Sequence, residues 1–335
     1  MAVTLTDVAN ALGLSASTVS RALSMPEKVN AQTRERIQQT VHQMGYVPNQ
    51  VARSLTSGRM DTLAIIVPDI ANPFFPPIIK AVQARAARRG MTVLLSDVDE
   101  HAVDEIDRAR NLAKRVDGLI MVSPRTASAH LAGLRDIPNI VFVNREVEGA
   151  SFVLIDDGDG MVQAVEHLHA LGHRNIAYLN GPKRSWSNAL RQSAIESACA
   201  RLGMTLSEFG PFEAQIQAGA RAADLVYASA VTAVIAYDDL IALGVMARLT
   251  ERGLRIGRDM SVIGVDDSPM SGMAYPTLTS VHVPGAEAGV AAVDIILEQL
   301  STPGKHEPQI VELETHLIVR SSTSVPHPRD GSVAV

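Results

Sequence analysis

The chain has 335 residues, a length for two or three globular units, and its 46% hydrophobic against 20% charged residues excludes global disorder. A single cysteine, Cys199, excludes an intramolecular disulfide and a zinc site built on several thiolates; with no secretory start and no apolar run of 18 residues, the expectation is a cytoplasmic protein without a membrane span. The net charge is -6, but residues 1–60 hold six basic residues against three acids, so a head of +3 precedes a body of -9, and a basic head suits a polyanion.

Thr4 and Asp7 have the spacing of a helix capping pair, Val8, Ala9 and Leu12 fall on one helical face, and Gly13 stops the helix. Ser15 is placed to cap a second helix with Val19 and Leu23 inward. Asn30 is placed to cap a third, in which Ile37, Val41 and Met44 form a stripe and Gly45 closes it. The short turn between the first two makes a helix-turn-helix head over residues 1–46. In that arrangement Ala16, Ser17 and Thr18 approach base edges in the major groove, with Arg21 one turn later able to grip guanine bidentately. The plain alternative is a solvated face of an ordinary three-helix bundle.

Residues 47–60 read as a short helix within a linker. At about eight residues it is too short to persist alone. Leu55 on this basic segment suits a wedge pushed into the minor groove. Thr4, Asn49 and Arg53 complete the expected DNA-contacting set.

From residue 61 onward apolar strands alternate with amphipathic helices: 62–67, 92–96, 118–123, 140–144, 152–155, 176–179, 233–237, 262–265 and 278–283. So many strands imply two Rossmann-like halves dividing near 156–160, with ligands beyond the carboxyl ends of the strands. Polar residues gather there: Asp69 and Asn72, Asn144 and Arg145, Asp238 and Asp239, Asp266 and Asp267, with Arg191 on a following helix. Flanked by Phe74, Phe75 and Trp186, they suit a polyhydroxyl ligand. Asp239 and Asp267 are expected to cap helices instead. A competing reading makes Asp238 and Asp266 the paired carboxylates of a glycosidase, which leaves the head unexplained. A solute-binding protein for a transporter is disfavoured by the lack of a secretory start.

Other motifs fail on physical grounds. His167 and His169 stand two apart on a helix and point to different sides, and counting twelve positions from Asp156 reaches His167 rather than Glu, so neither a metal cluster nor an EF-hand is expected. Cys199 reads as a small buried apolar residue. No cofactor is expected.

The segments TLTDVANALGLSASTVSRAL, VNAQTRERI, GYVPNQVARSL, HLHALGHRNIAYLNGP, DDLIALGV and SVIGVDDSPM, in this order, resemble the LacI/GalR family of bacterial transcription regulators. The resemblance implies a homodimer on a pseudo-palindromic operator, a helix-turn-helix head and an α/β core similar to periplasmic sugar-binding proteins. It implies repression of a carbohydrate-type operon, switched by a sugar, polyol or nucleoside. It also implies that Leu55 is the intercalating hinge residue and that Asn72, Phe74, Phe75, Arg145, Arg191, Phe212, Asp238 and Asp266 contact the ligand, to which position adds Asn144 and Trp186. The expected organisation is a head over 1–46, a hinge over 47–60, and a core over 61–325 whose halves are 61–159 with 283–312 and 160–282 with 313–325, followed by a tail. Two departures alter the ligand's donor pattern: Asp238 replaces the family's Asn, and Asn144 replaces the Asp of ribose-type proteins; a third, Ala194 in place of a Gly, is expected to narrow the pocket.

Overall fold

The computed structural model describes residues 3–24, 26–46, 59–302, 304 and 306–327. They fall into two compact units dividing after Met60. The expected contacts Asn49, Arg53 and Leu55 lie outside the described residues.

The smaller unit is three helices, α1 (Leu5–Leu12), α2 (Ala16–Ser24) and α3 (Ala31–Met44). Local chemistry sets each boundary. Thr4 accepts from the Asp7 amide at 3.3 Å while the Asp7 carboxylate accepts from the Thr4 amide at 2.9 Å, a complete capping box. Gly13 ends α1 at φ 65°, left-handed backbone that a side chain would strain. Ser15 accepts from the Thr18 amide, and Asn30 from the Gln32 amide. Val8, Ala9, Val19, Ala22 and Ile37 close a small core.

In the larger unit a first parallel sheet contains β1 (Thr62–Val67), β2 (Thr92–Asp97), β3 (Gly118–Val122), β4 (Ile140–Val143) and β5 (Ser151–Asp156), with α4 (Phe75–Ala87), α5 (Ala102–Ala113) and α6 (Ser128–Leu131) between them. A second contains β6 (Asn175–Leu179), β7 (Thr205–Phe209), β8 (Ala233–Ala236), β9 (Ser261–Asp266) and β10 (Thr279–His282), with α7 (Asp157–Ala170), α8 (Trp186–Leu202), α9 (Ile216–Ala228), α10 (Asp239–Glu251) and α11 (Pro269–Met273). The chain then returns through α12 (Gly285–Ser301) and β11 (Ile310–Glu314) to the first sheet, and through β12 (His316–Ile318) to the second. The orders are β11-β5-β4-β3-β1-β2 and β12-β10-β9-β8-β6-β7, with β12 antiparallel to β10. β7, β11 and β12 are additions to the strands read from sequence. They are edge strands with no continuous buried run, so periodicity does not mark them.

The chain crosses between halves at Asp156–Asp157, after His282 and at Thr315. Buried Thr315 ties two crossings together, its hydroxyl donating to the Asp156 carbonyl at 2.6 Å and accepting from the Gly160 amide at 3.1 Å. Within the second half α9 and α10 meet backbone to backbone: a Cβ on Gly244 would strike the Ile216 carbonyl, and one on Gly219 the Ile241 carbonyl.

The histidines are structural. His167 bonds Thr323 at 2.9 Å, and His173 reaches Thr232, Ser261 and the Ser324 carbonyl. Cys199 is buried, and that burial pushes its thiol up to about 11.

Candidate functional site

A narrow cleft, with about 20 Å³ of free space, opens where the carboxyl ends of β3, β4, β8 and β9 converge. Its walls are Asn72, Phe74, Phe75, Ser123, Arg125 and Asn144 from the first half, and Ser187, Arg191, Tyr237, Asp238 and Asp266 from the second. Seven of the residues chosen from sequence therefore meet here. Ser123, Arg125, Ser187 and Tyr237 escaped the reading. Ser123 and Tyr237 were the last residues of expected strands, and strand termini rather than charge alone would have flagged them.

Backbone geometry marks the same place. Ser123 has φ 44°, Asn144 φ 54° and Asp266 φ 104°, left-handed conformations at three strand ends that turn side chains into the cleft. Non-glycine residues held in this region concentrate at functional sites, because the surrounding fold must impose the strain.

Asn72 spans the two halves, donating from Nδ2 to Asp238 Oδ2 at 3.3 Å while its Oδ1 accepts from the Phe74 amide at 2.9 Å. Asp238 Oδ1 accepts from the Ile241 amide at 2.8 Å, so Asp238, not the expected Asp239, is the cap of α10. The reason is reach: Asp238 precedes the first helical residue, whereas Asp239 lies inside the helix, buried, accepting from Ser280 Oγ and the Ser268 amide. Asp267 caps nothing either, being held by Arg320, Ser271 and His282. Burial pushes the Asp238 carboxyl up to about 6 and that of Asp239 to about 7. Asp266 is raised well above the usual carboxylate value by burial too, and its side chain has no hydrogen-bond partner among the described residues.

Arg191 is 2% exposed and lies under the cleft floor, donating to Asp157 Oδ1 at 3.0 Å and to the Tyr237 carbonyl at 2.7 Å, with its guanidinium 5.0 Å from the Tyr237 ring. Burial works against its charge, but Asp157 beside it holds the proton above the ordinary arginine value. Its Nε, like Asn144 Oδ1, is buried without a partner. Arg125 is forked onto Glu100 at 2.7 and 2.8 Å.

Three expected ligand contacts do not line the cleft. Arg145 turns to the other side of β4, donating to Ser128 Oγ at 2.9 Å, with its guanidinium 5.8 Å from the Trp186 ring. Phe212 packs on the second-half core. Ala194 likewise packs against core residues and does not narrow the cleft. Helix direction accounts for Trp186, because its neighbour Ser187, one turn before Arg191, occupies the cleft-facing position of α8.

On the head, Ser17 and Arg21 are exposed on α2, Thr18 is half-buried and bonded to Ser15 Oγ, and Ala16 leans on the small core. The hydroxyl of Thr4 is engaged by Asp7.

Residues 4–49 match the family model for bacterial regulatory proteins of the lacI family, and residues 165–323 match that for a periplasmic binding protein-like domain. The HTH-type transcriptional repressor PurR of Vibrio cholerae is 33% identical over 95% of this chain and 97% of its own length. The HTH-type transcriptional repressor CytR of Escherichia coli is 32% identical over 96% of each. Among solved structures, the lac repressor dimer bound to operator and the anti-inducer ONPF superposes with a TM-score of 0.85 at 30% identity, covering 97% of this chain and all of that one.

Proposed function

The chain belongs to the LacI family of bacterial regulatory proteins, DNA-binding transcriptional regulators rather than enzymes, and from that premise we propose that it represses a carbohydrate-type operon as a homodimer. In this reading α2 reads each half of a pseudo-palindromic operator through Ser17, Thr18 and Arg21, and Leu55 is the minor-groove wedge. A sugar, polyol or nucleoside in the cleft then alters operator affinity.

The observation that carries this reading is the set of polar groups without protein partners on the cleft wall, Asn144 Oδ1 and Arg191 Nε among them. The carboxylates of Asp238 and Asp266 and the unpartnered Asn144 Oδ1 face a space walled by Phe74 and Phe75. An amide oxygen only accepts, so the complementary ligand brings a hydroxyl or N–H donor to Asn144 Oδ1 and an apolar face to the phenylalanine rings. The solved relative bound to operator and an anti-inducer supports the same division of labour.

The test is to select DNA from a randomised duplex pool with the full chain, then titrate the selected duplex with and without a panel of sugars, polyols and nucleosides. A two-fold symmetric sequence whose affinity shifts with one panel member is expected. Asymmetric selection, or affinity indifferent to every member, would sink the reading.

A further inference from the structure

A second, open chamber, of about 590 Å³, lies behind Arg125 and is walled by Ala102, Val103, Ile106, Thr126, His130, Arg145 and Arg184. Its charges are unevenly matched. Arg125, shared with the cleft, is neutralised by the fork onto Glu100. Buried Glu105 is taken up by two backbone amides, accepting from Arg125 N at 2.8 Å and Thr126 N at 2.9 Å. Arg184 is exposed and makes no ion pair among the described residues.

Arg145 is the anomaly. It is 6% exposed, yet no carboxylate bonds it. Nη2 donates to the Thr126 carbonyl at 3.3 Å and to Ser128 Oγ at 2.9 Å, and Nε is buried with no partner. Burial disfavours its charge; Glu105 favours it only through space, and Arg125 opposes it. A buried cation without a counter-ion is costly, and a bound anion relieves that cost with charge-assisted bonds. Half-buried Trp186 covers the guanidinium from the second half of the core.

We propose that this chamber binds an anionic group, a carboxylate or phosphate, carried by the ligand whose hydroxylated body occupies the adjoining cleft. The inference rests on the cleft reading above and narrows the ligand to an acidic sugar, polyol or nucleotide class. Arg145 is the principal contact, Arg184 approaches from the mouth, and Ala102, Val103 and Ile106 line the wall with aliphatic surface.

The test titrates the full chain, by calorimetry and thermal shift, with matched sets: glucose, gluconate and glucose 6-phosphate; ribose and ribose 5-phosphate; adenosine and AMP. Inorganic phosphate and acetate are titrated alone at constant ionic strength. An anionic member binding about tenfold or more tightly than its neutral partner, with the preference erased by Arg145→Gln, is the expected result. If neutral members bind equally well or better, the proposal falls while the cleft reading stands. Where no matched set binds, phosphate or acetate decides. Saturable binding lost in Arg145→Gln keeps the anion site and removes the hydroxylated body; no saturable binding overturns the anion site. Far-ultraviolet circular dichroism and unchanged affinity for the selected duplex separate a lost contact from a misfolded variant.

Discussion

Arg21 lies exposed in the last turn of α2, and a guanidinium there can pair with guanine through two hydrogen bonds. Arg21→Ala is expected to lose about 1–3 kcal/mol of discrimination at one base pair per half-site. Competition with single-base variants of the selected duplex measures it; equal weakening on every sequence would reduce Arg21 to a phosphate contact. Arg191 works differently, because its partner Asp157 is fully buried. Arg191→Met alone strands that carboxylate and should cost about 3–5 kcal/mol, whereas adding Asp157→Leu should recover most of the loss. Urea unfolding of the single and double variants decides, and a double variant no better than the single would refute the pairing argument. Asp239 sets a pH dependence. Its folded pKa, pushed to about 7 by burial, exceeds the ordinary aspartate value of 3.8, so the folded state binds the extra proton between those values. Its stabilising contribution is therefore complete below about pH 4 and is lost as pH rises towards 7. Asp239→Asn should remove that part of the slope. The measurement is the difference between the two proteins' urea midpoints from pH 4 to 8, which cancels the opposing contributions of His167 and His173; a constant difference would contradict it.

At the level of elements, α9 and α10 owe their closeness to two missing side chains. Gly244 and Gly219 let each backbone approach the carbonyls of the other helix, and Ala218, Ala222, Ala223 and Ala242 fill the rest of the seam. Asp238 caps α10 and faces the cleft, so the spacing of this pair also fixes a cleft residue. Gly244→Ala must separate the helices and should cost about 1–3 kcal/mol. Gly133→Ala, where an added methyl meets open space, should stay within about 0.5 kcal/mol of the parent. Comparable midpoints for the two variants would show that the helices yield without strain. This seam was not legible in the sequence, where DDLIALGV stood out as family resemblance and not as a packing surface.

For the whole molecule, the proposed ligand and operator sites are different, so any coupling between them is reciprocal. The factor by which the ligand changes operator affinity must equal the factor by which operator changes ligand affinity, typically 1–3 kcal/mol or about 5–150-fold. Operator titrations with and without the ligand, set against calorimetry of the ligand with and without operator, test this. Unequal factors would mean that the two titrations follow different protein states. The three chain crossings at Asp156, beyond His282 and at Thr315 join the two halves whose strand ends wall the cleft.

Helix starts and stops in the head were legible because capping is local: Thr4 with Asp7, Asn30 with Gln32, and the glycines at 13 and 45 act across at most four residues. The buried strands were legible because continuous apolar runs have few other uses. Strand-end position likewise marks Asn72, Asn144, Asp238 and Asp266, which line the cleft together. The direction in which Arg145 points was not available that way. It depends on Ser128, Thr126 and Trp186, which lie 17, 19 and 41 positions away and meet it through folding alone. Nor could pairing of Arg191 with Asp157, 34 residues apart, be read from either segment, because a buried charge finds its partner through the packing of two helices and not through spacing along the chain.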